Sequence, residues 1–226
     1  MRVLDLFSGI GAFALGLERA GLVDFQRRVL TRHWPGVPVM EDIHKIVAPI
    51  ECEVICGGFP CQAFSTAARG RNRAEKDLWP EMERVVSLCR PRFIIGENVC
   101  ERAIRHAAER MSGLGYAVTV RRISGAQIGA WHQRNRWWFV AHPHDQGEFC
   151  RRLDAEVAKL PEVCAGLWTA ETYAGAVRVP VGLASGMDEA RLIALGNAGF
   201  PAITETIGRA IMASAPRGTD EPVGVR

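Results

Sequence analysis

Lysine is scarce in this sequence. Of 28 lysine and arginine residues, only Lys45, Lys76 and Lys159 are lysines, and arginine supplies the rest. Arginine recognises phosphates and bases through paired hydrogen bonds from its planar guanidinium. A GC-rich genome, which favours arginine codons, explains the same bias equally well. Because the net charge is only +3, composition leaves a nucleic-acid partner open without establishing one.

The chain also has no apolar run long enough to span a bilayer. Its apolar N-terminal stretch contains Asp5 and has no cleavage site of the secretory type. We therefore expect a cytoplasmic protein with no membrane partner. A length of 226 residues with 48% hydrophobic residues fits one domain, or one domain with a small appendage.

The cysteines are odd in number and do not form paired CxxC units, which argues against both a disulfide framework and a structural zinc site. His142 and His144 have no further suitably spaced ligands, so we expect no metal. The seven cysteines are Cys52, Cys56, Cys61, Cys89, Cys100, Cys150 and Cys164.

Short apolar runs alternate with helical patterns along the first 141 residues. This alternation predicts an α/β fold: a doubly wound, mainly parallel sheet covered on both faces. The first strand runs into the turn Ser8-Gly9-Ile10-Gly11, as in nucleotide-binding α/β units. Strands are predicted over 2–7, 37–40, 53–56, 93–96, 116–123 and 136–141, and helices over 12–20, 24–33, 78–89 and 101–114.

The alternation of apolar runs with helical patterns ends after residue 141. Residues 142–191 contain prolines and glycines with no clear period, so we interpret them as a small irregular module. Helical periodicity returns over 192–212. We therefore expect a catalytic domain over 1–141, the small module over 142–191, a return to the catalytic domain over 192–213, and a flexible tail over 214–226.

Two segments carry reactive side chains at the ends of predicted strands. Cys61 follows a strand on a turn shaped by Gly57, Gly58 and Pro60, at the sheet edge where α/β proteins bind ligands. A thiolate there is a strong nucleophile, although a single cysteine on a turn is more often structural. Glu97 follows another strand and puts a carboxylate at the same edge, where a helix start would also favour it.

Five motifs occur in an order that resembles the cytosine-C5 DNA methyltransferase family, of the bacterial or phage type. DLFSGIGAF is similar to that family's first cofactor motif, GGFPCQAFS to its catalytic loop and GENV to its glutamate motif. HQRNR is similar to its paired-arginine motif and LGNAGFP to its last cofactor motif. The resemblance covers most of 1–141 and 192–212, and it implies a fold of the S-adenosylmethionine-dependent methyltransferase type.

The resemblance implies methylation of cytosine carbon 5 in double-stranded DNA. Cys61 would add to C6 of a cytosine flipped out of the duplex, with S-adenosyl-L-methionine as the methyl donor. Glu97 would hydrogen-bond the N3 and amino edge of the base, Arg134 would hold the base, and Arg136 would support that site or a phosphate.

The remaining site residues are carried over in the same way, residue by residue. The cofactor would contact Phe7, Ser8, Gly9, Ile10, Gly11, Asp42, Ile43, Pro60, Leu78, Asn197 and Ala198. DNA would contact Gln62, Ser65, Arg69, Arg71 and Arg73, the last three in the basic segment 67–76. A restriction endonuclease or a separate specificity subunit is an open candidate partner, in a bacterial or phage-infected cell.

Two features depart from the family pattern. Residues 21–24 run almost directly into the next helix, so the sheet lacks its second strand or Asp24 replaces the acid that binds the cofactor ribose. The segment 142–191 is also short for a target-recognition domain. Three alternatives stay open: a weak or inactive DNA-binding relative, an RNA cytosine-C5 methyltransferase, and an unrelated oxidoreductase of Rossmann type, which the Pro-Cys-Gln turn disfavours.

Overall fold

The computed structural model describes residues 1–7, 32, 35–40, 42–59, 77–128, 135–143, 146–161 and 201–214. The strands in these ranges are β1 (Val3–Leu6), β2 (Val54–Gly58), β3 (Phe93–Asn98), β4 (Ala117–Ile123) and β5 (Arg136–His142). The helices are α1 (Trp79–Cys89), α2 (Glu101–Gly113), α3 (Gln146–Ala158) and α4 (Pro201–Ser214). Short 3₁₀ turns occupy Ile43–Lys45 and Ala126–Ile128.

The strands form one five-stranded sheet in the order β1-β2-β3-β5-β4. β1, β2 and β3 are parallel to one another, and β5 runs antiparallel to both β3 and β4. Four of the five strands therefore point the same way, which confirms the prediction of a mainly parallel sheet.

Helices cover both faces of the sheet, which makes the fold doubly wound. On one face, α1 and α2 bury Met82, Val86, Ile104 and Met111 against the sheet. On the other face, Phe149 of α3 and Ile207 of α4 pack against β3 and β5. Because β3 is covered on both sides, its side chains read as a continuous buried run rather than as an alternating one.

The predicted elements between residues 53 and 141 are confirmed, each within about two residues of its expected ends, as is usual for boundaries read from sequence. The predicted strand over 37–40 is wrong. Those residues follow a turn at Pro35 and Gly36 and lie outside the sheet, with Val37 57% and Met40 51% exposed. No element among the described residues pairs with this apolar run, so propensity alone did not make it a strand.

The interpretation of residues 142–191 as irregular is wrong at its start. Helix α3 lies there, and it buries Phe149 and Leu153 beside Leu160 in the core under β3 and β5. Phe149, Leu153, Val157 and Leu160 are spaced by four, four and three residues, which is the period of a helix face. Residues 146–161 thus pack with the α/β domain, whereas 162–191 lie outside the described ranges.

The strand that the sequence predicts to be missing would lie in the chain between β1 and β2. Where the structure describes the chain, β1 forms an edge of the sheet and pairs with β2. Residues 8–31, which hold the predicted first helix, Asp24 and most of the second predicted helix, are not among the described residues. The predicted shortage of a strand therefore stays a prediction.

Gly96 lets β3 and β5 pair closely at the middle of the sheet. It lies opposite Phe139, and a Cβ at residue 96 would stand 2.0 Å from the Phe139 ring. We expect Gly96→Ala to lower the free energy of unfolding by about 1–3 kcal/mol, because the ring must leave its position against Trp79. Urea denaturation measures this change. Gly113→Ala is the control, because its new methyl meets no atom within 4 Å; equal stability of the two variants would contradict the packing described.

Candidate active site

The candidate site lies at the edge of the sheet where β1, β2 and β3 end and β5 begins. Parallel strands carry their ligands at this edge. The strand register places Leu6 beside Gly57, Gly58 beside Glu97, and Glu97 beside Trp138. The turns that leave β1 and β2 therefore begin next to the Glu97 carboxylate.

Glu97 forms an ion pair with Arg136 at this edge. The Nε of Arg136 lies 2.8 Å from Oε1 of Glu97, and the two side chains are only 15% and 18% exposed, respectively. Gly58 lies on the other side of the carboxylate, where a Cβ would stand 3.0 Å from Oε2. The structure thus brings together two predicted site residues, with a glycine making room for the carboxylate.

Asn98, the next residue of β3, points to the opposite face and fixes the chain that precedes Cys61. Its side chain is 3% exposed, and its Nδ2 donates to the carbonyl of Phe59 at 2.7 Å. Its Oδ1 accepts from the backbone N–H of Cys100 at 2.9 Å. The ring of Phe59 also packs on Trp79, with ring centroids 4.9 Å apart. Asn98 lies within the quoted GENV segment, yet sequence reasoning assigned it no role.

Phe7 adopts a strained backbone conformation immediately after β1. Its φ is 62°, in the left-handed region that bulky residues rarely occupy. Such strain costs about 1–3 kcal/mol and concentrates at ligand-binding sites. The strain coincides with the predicted cofactor turn, which begins at this residue.

Asp42 and Ile43 form a compact turn between β1 and β2. Asp42 precedes the 3₁₀ turn, and its Oδ1 accepts from the His44 backbone N–H at 2.9 Å and lies 2.6 Å from the His44 ring nitrogen Nδ1. These contacts, the backbone one first, lower the pKa of Asp42 below its ordinary value. Ile43 is half-buried and, like Phe7, packs against the core beneath α1 and α2.

These described residues fit the adenosyl part of a nucleotide-like cofactor. Asp42 offers an ionised acceptor for an amino group, and Ile43 offers an apolar contact beside it. Leu78 immediately precedes α1 and is half-buried. The other predicted site residues lie outside the described ranges: Ser8, Gly9, Ile10, Gly11, Pro60, Cys61, Gln62, Ser65, Arg69, Arg71, Arg73, Arg134, Asn197 and Ala198.

Two half-buried thiols, Cys52 just before β2 and Cys56 within it, are poor nucleophiles. Burial, assisted by the neighbouring Cys89, raises the pKa of Cys52 to about 11. Burial also raises the pKa of Cys56, and the nearby Asp5 carboxylate adds to that rise. Because the thiolate is the reacting form, both side chains are held in their unreactive state at neutral pH.

Thiol labelling tests this difference. At neutral pH we expect iodoacetamide to modify Cys52 and Cys56 far more slowly in the folded protein than in urea, and Cys61 to react before either. All three cysteines lie in the tryptic peptide 46–69, so tandem mass spectrometry over a time course, which assigns the label to each cysteine within that peptide, gives the three rates. Labelling of Cys52 or Cys56 at the rate of the unfolded chain would contradict the burial described here.

The described residues contain neither a group of three or more metal-ligating side chains nor a helix long and apolar enough to cross a membrane. The doubly wound sheet carries the Glu97–Arg136 ion pair and the strained Phe7 at its carboxyl edge, which is the edge where α/β proteins of this class carry ligands. The family follows from comparison. Residues 1–165 match the family model of the C-5 cytosine-specific DNA methylases, and the chain belongs to that family.

Several bacterial relatives are similar over most of the same region. The chain is 30% identical to the Type II methyltransferase M2.BsuMI of Bacillus subtilis, over 60% of this chain and 40% of that protein. It is 32% identical to the Type II methyltransferase M.HgiBI of Herpetosiphon aurantiacus, over 62% of this chain and 36% of that protein. The matched regions thus span well under two thirds of these relatives.

Two solved structures match over a similar share of this chain. A prophage-encoded DNA modification methyltransferase of Escherichia coli is 28% identical, with a TM-score of 0.40 over 62% of this chain and 46% of that one. The Dnmt2 methyltransferase of Schizosaccharomyces pombe is 18% identical, with a TM-score of 0.48 over 64% of this chain and 51% of that one.

Proposed function

We propose that this protein methylates carbon 5 of cytosine in DNA, with S-adenosyl-L-methionine as the methyl donor and Cys61 as a covalent nucleophile. The observation that carries the proposal is the pair of adjacent residues at the end of β3. Glu97 presents a carboxylate at the sheet edge, and Asn98 holds the backbone of Phe59, two residues before Cys61. One strand end thus supports both the nucleophile's segment and the group that would recognise the base.

The chemistry requires help because C5 of cytosine is a weak nucleophile. Cys61 donates its electron pair to C6, and the displaced electrons make C5 able to attack a methyl group, whose bond to the donor sulfur would break to release S-adenosylhomocysteine. Glu97, in its protonated form, donates a hydrogen bond to N3 and accepts one from the amino group, and the proton at N3 offsets the negative charge that builds in the ring. A base then removes the C5 proton, the C5–C6 double bond re-forms, and Cys61 leaves as a thiolate.

The cations at this edge have separate tasks. Arg136 holds Glu97 through the ion pair, so it orients the carboxylate that meets the base. Arg134 contacts the base itself. We therefore propose that Arg136 supports the site by orienting Glu97, and that it does not bind a phosphate.

The cofactor binds at the carboxyl edge of β1. S-adenosylmethionine, when bound, supplies an electrophilic methyl group to this reaction. Asp42 accepts from the adenine amino group while Ile43 and Leu78 supply apolar contacts. Phe7 and the turn Ser8-Gly9-Ile10-Gly11 offer backbone amides to the methionine end, together with Pro60, Asn197 and Ala198.

The substrate is double-stranded DNA whose target cytosine is flipped into the site, at a cost of about a few kcal/mol. Arg69, Arg71 and Arg73 bind phosphates near the nucleophile, and Gln62 and Ser65 contact the strand that carries the base. Sequence choice rests on the segment after residue 161 or on a specificity partner, because α3 packs into the α/β core. A restriction endonuclease is the second partner we propose, in the cytoplasm of a bacterium or of a phage-infected cell.

Methyl transfer to defined nucleic acids tests the proposal. The protein is incubated with S-adenosylmethionine and unmethylated genomic DNA, or with total RNA, and the nucleosides are analysed by mass spectrometry. We expect 5-methyl-2′-deoxycytidine in DNA that Cys61→Ser does not produce. If 5-methylcytidine appears in RNA and no methylated cytosine appears in DNA, the substrate is RNA and not DNA. Cofactor binding without any methylated cytosine would favour the inactive, DNA-binding alternative.

A further inference from the structure

We infer that Arg84 is a positioning residue for the methyl donor: it holds the turn that carries Asp42 and Ile43 in the geometry that receives adenine. The inference rests on the proposed function, since it concerns the affinity of the same cofactor site. Arg84 lies in the middle of α1, about 40 residues along the chain from this turn.

The guanidinium of Arg84 binds both ends of the 3₁₀ turn. Nη2 donates to the carbonyl of Ile43 at 2.9 Å, and Nη1 donates to the carbonyl of Ile46 at 2.6 Å. Nε donates to Oε2 of Glu81 at 2.7 Å, so the plane of the fork is fixed from its own helix. The side chains of Arg84 and Glu81 are 37% and 23% exposed, which leaves these bonds only partly screened by water.

Among the described residues, the other contacts of the turn are its internal hydrogen bonds, the contacts of Asp42 with His44 and the packing of Ile43 and Ile46 on the core. Its internal hydrogen bonds run from Lys45 to Asp42 and from Ile46 to Ile43, each at 3.1 Å. Ile46 is buried, whereas Val47 after it is 80% exposed. A single 3₁₀ turn is intrinsically weak, so a charged fork that binds two of its carbonyls determines much of its orientation.

Helix α1, which carries Arg84, is itself held rigidly in the core. α1 is anchored by Met82, Val85 and Val86, all fully buried. The hydrogen bonds of Arg84 therefore connect a short turn to a fixed helix. They hold Asp42 and Ile43 in a fixed position relative to that helix. A lysine at residue 84 keeps the charge but cannot bind two carbonyls with a planar fork.

Loss of Arg84 is therefore expected to act on cofactor affinity and not on the chemical step. Trp79 and Asn98, which hold Phe59 before Cys61, make separate contacts that do not include Arg84. At saturating S-adenosylmethionine, kcat stays at the wild-type value, while KM and Kd for the cofactor rise.

The experiment compares Arg84→Gln, Arg84→Lys and the control Arg110→Gln in the full chain. Arg110 also pairs with α1, through Glu83, but it does not touch the turn. Calorimetric titration with S-adenosylmethionine and with S-adenosylhomocysteine should show about tenfold weaker binding for Arg84→Gln, the loss expected for hydrogen bonds from a charged group. Arg84→Lys should fall between, and Arg110→Gln should bind as the wild type does.

Hydrogen exchange provides a readout without cofactor. Amides of the peptide that covers residues 42–50 should exchange faster in Arg84→Gln than in Arg110→Gln. Wild-type affinity in Arg84→Gln, or an equal loss in Arg110→Gln, would overturn the inference while the proposed function stands. If Arg84→Gln does not fold, wild-type affinity in Arg84→Lys overturns it equally. If the wild-type protein itself binds no S-adenosylmethionine, the proposed function and this inference fail together.

Discussion

Glu97→Gln should lower kcat for cytosine methylation by about 10²–10⁴-fold, the range expected for a group that moves or stabilises a proton in the transition state. Glutamine has nearly the same shape, and its amide oxygen can still lie beside the Arg136 guanidinium. The amide has no acidic proton to pass to N3 of the base, as a carboxyl group does. Single-turnover methyl transfer, with saturating DNA and cofactor, measures the chemical step without product release.

The control for Glu97→Gln is Glu101→Gln, a few residues further along the chain. Glu101 pairs with Arg105 on the solvent-exposed side of α2, and its loss should leave the rate unchanged. Thermal unfolding of both variants checks that the fold persists. A Glu97→Gln protein that turns over at the wild-type rate would remove Glu97 from the reaction.

Asn98→Ala is the second variant for which we expect a large effect. It leaves the Phe59 carbonyl and the Cys100 N–H without their partner in a buried site, and each such loss costs about 1–3 kcal/mol. The segment before Cys61 loses its anchor at the same time. We therefore expect both a lower free energy of unfolding in urea and a fall in kcat of about 10²-fold, the size that a displacement of reacting groups by about 1 Å produces.

Asn98→Asp separates the two contacts. The aspartate keeps an acceptor for the Cys100 N–H but turns a carboxylate oxygen toward the Phe59 carbonyl, which repels it. Its activity should be as low as that of Asn98→Ala at neutral pH. Cys100→Ala is the control, because it leaves the backbone N–H in place. High activity in both Asn98 variants would mean that the Phe59 contact does not position Cys61.

The elements of the central sheet could be predicted because their signals are local. β3 is a continuous apolar run, and α2 has a regular apolar face, so each sequence segment specifies its own structure. Segment 37–40 shows the limit of such signals, because an apolar run forms a strand only where a neighbouring strand pairs with it. Helix α3 was not predicted for another reason: the prolines and glycines of 142–191 obscure the helical spacing of Phe149, Leu153 and Val157.

The candidate site was partly predictable. Glu97 was placed at the sheet edge because a residue at the end of a parallel strand must lie there. Its partner Arg136 comes from a strand that runs the opposite way, and only the register of β3 and β5 brings the two together. The contacts of Arg84 and Asn98 join residues about 40 positions apart. No periodicity in the sequence predicts such contacts.

Covalent trapping tests the central claim, that Cys61 bonds to the base, most directly. The protein is incubated with S-adenosylmethionine and double-stranded DNA that carries 5-fluorocytosine, then denatured and analysed by electrophoresis and peptide mass spectrometry. Fluorine cannot leave C5 as a proton does, so Cys61 should remain bonded to C6 in a complex that resists denaturation. Cys61→Ser should form no such complex, and Cys89→Ser should form it normally. The absence of any adduct in a protein that binds its cofactor, or an adduct that persists in Cys61→Ser, would contradict the assignment.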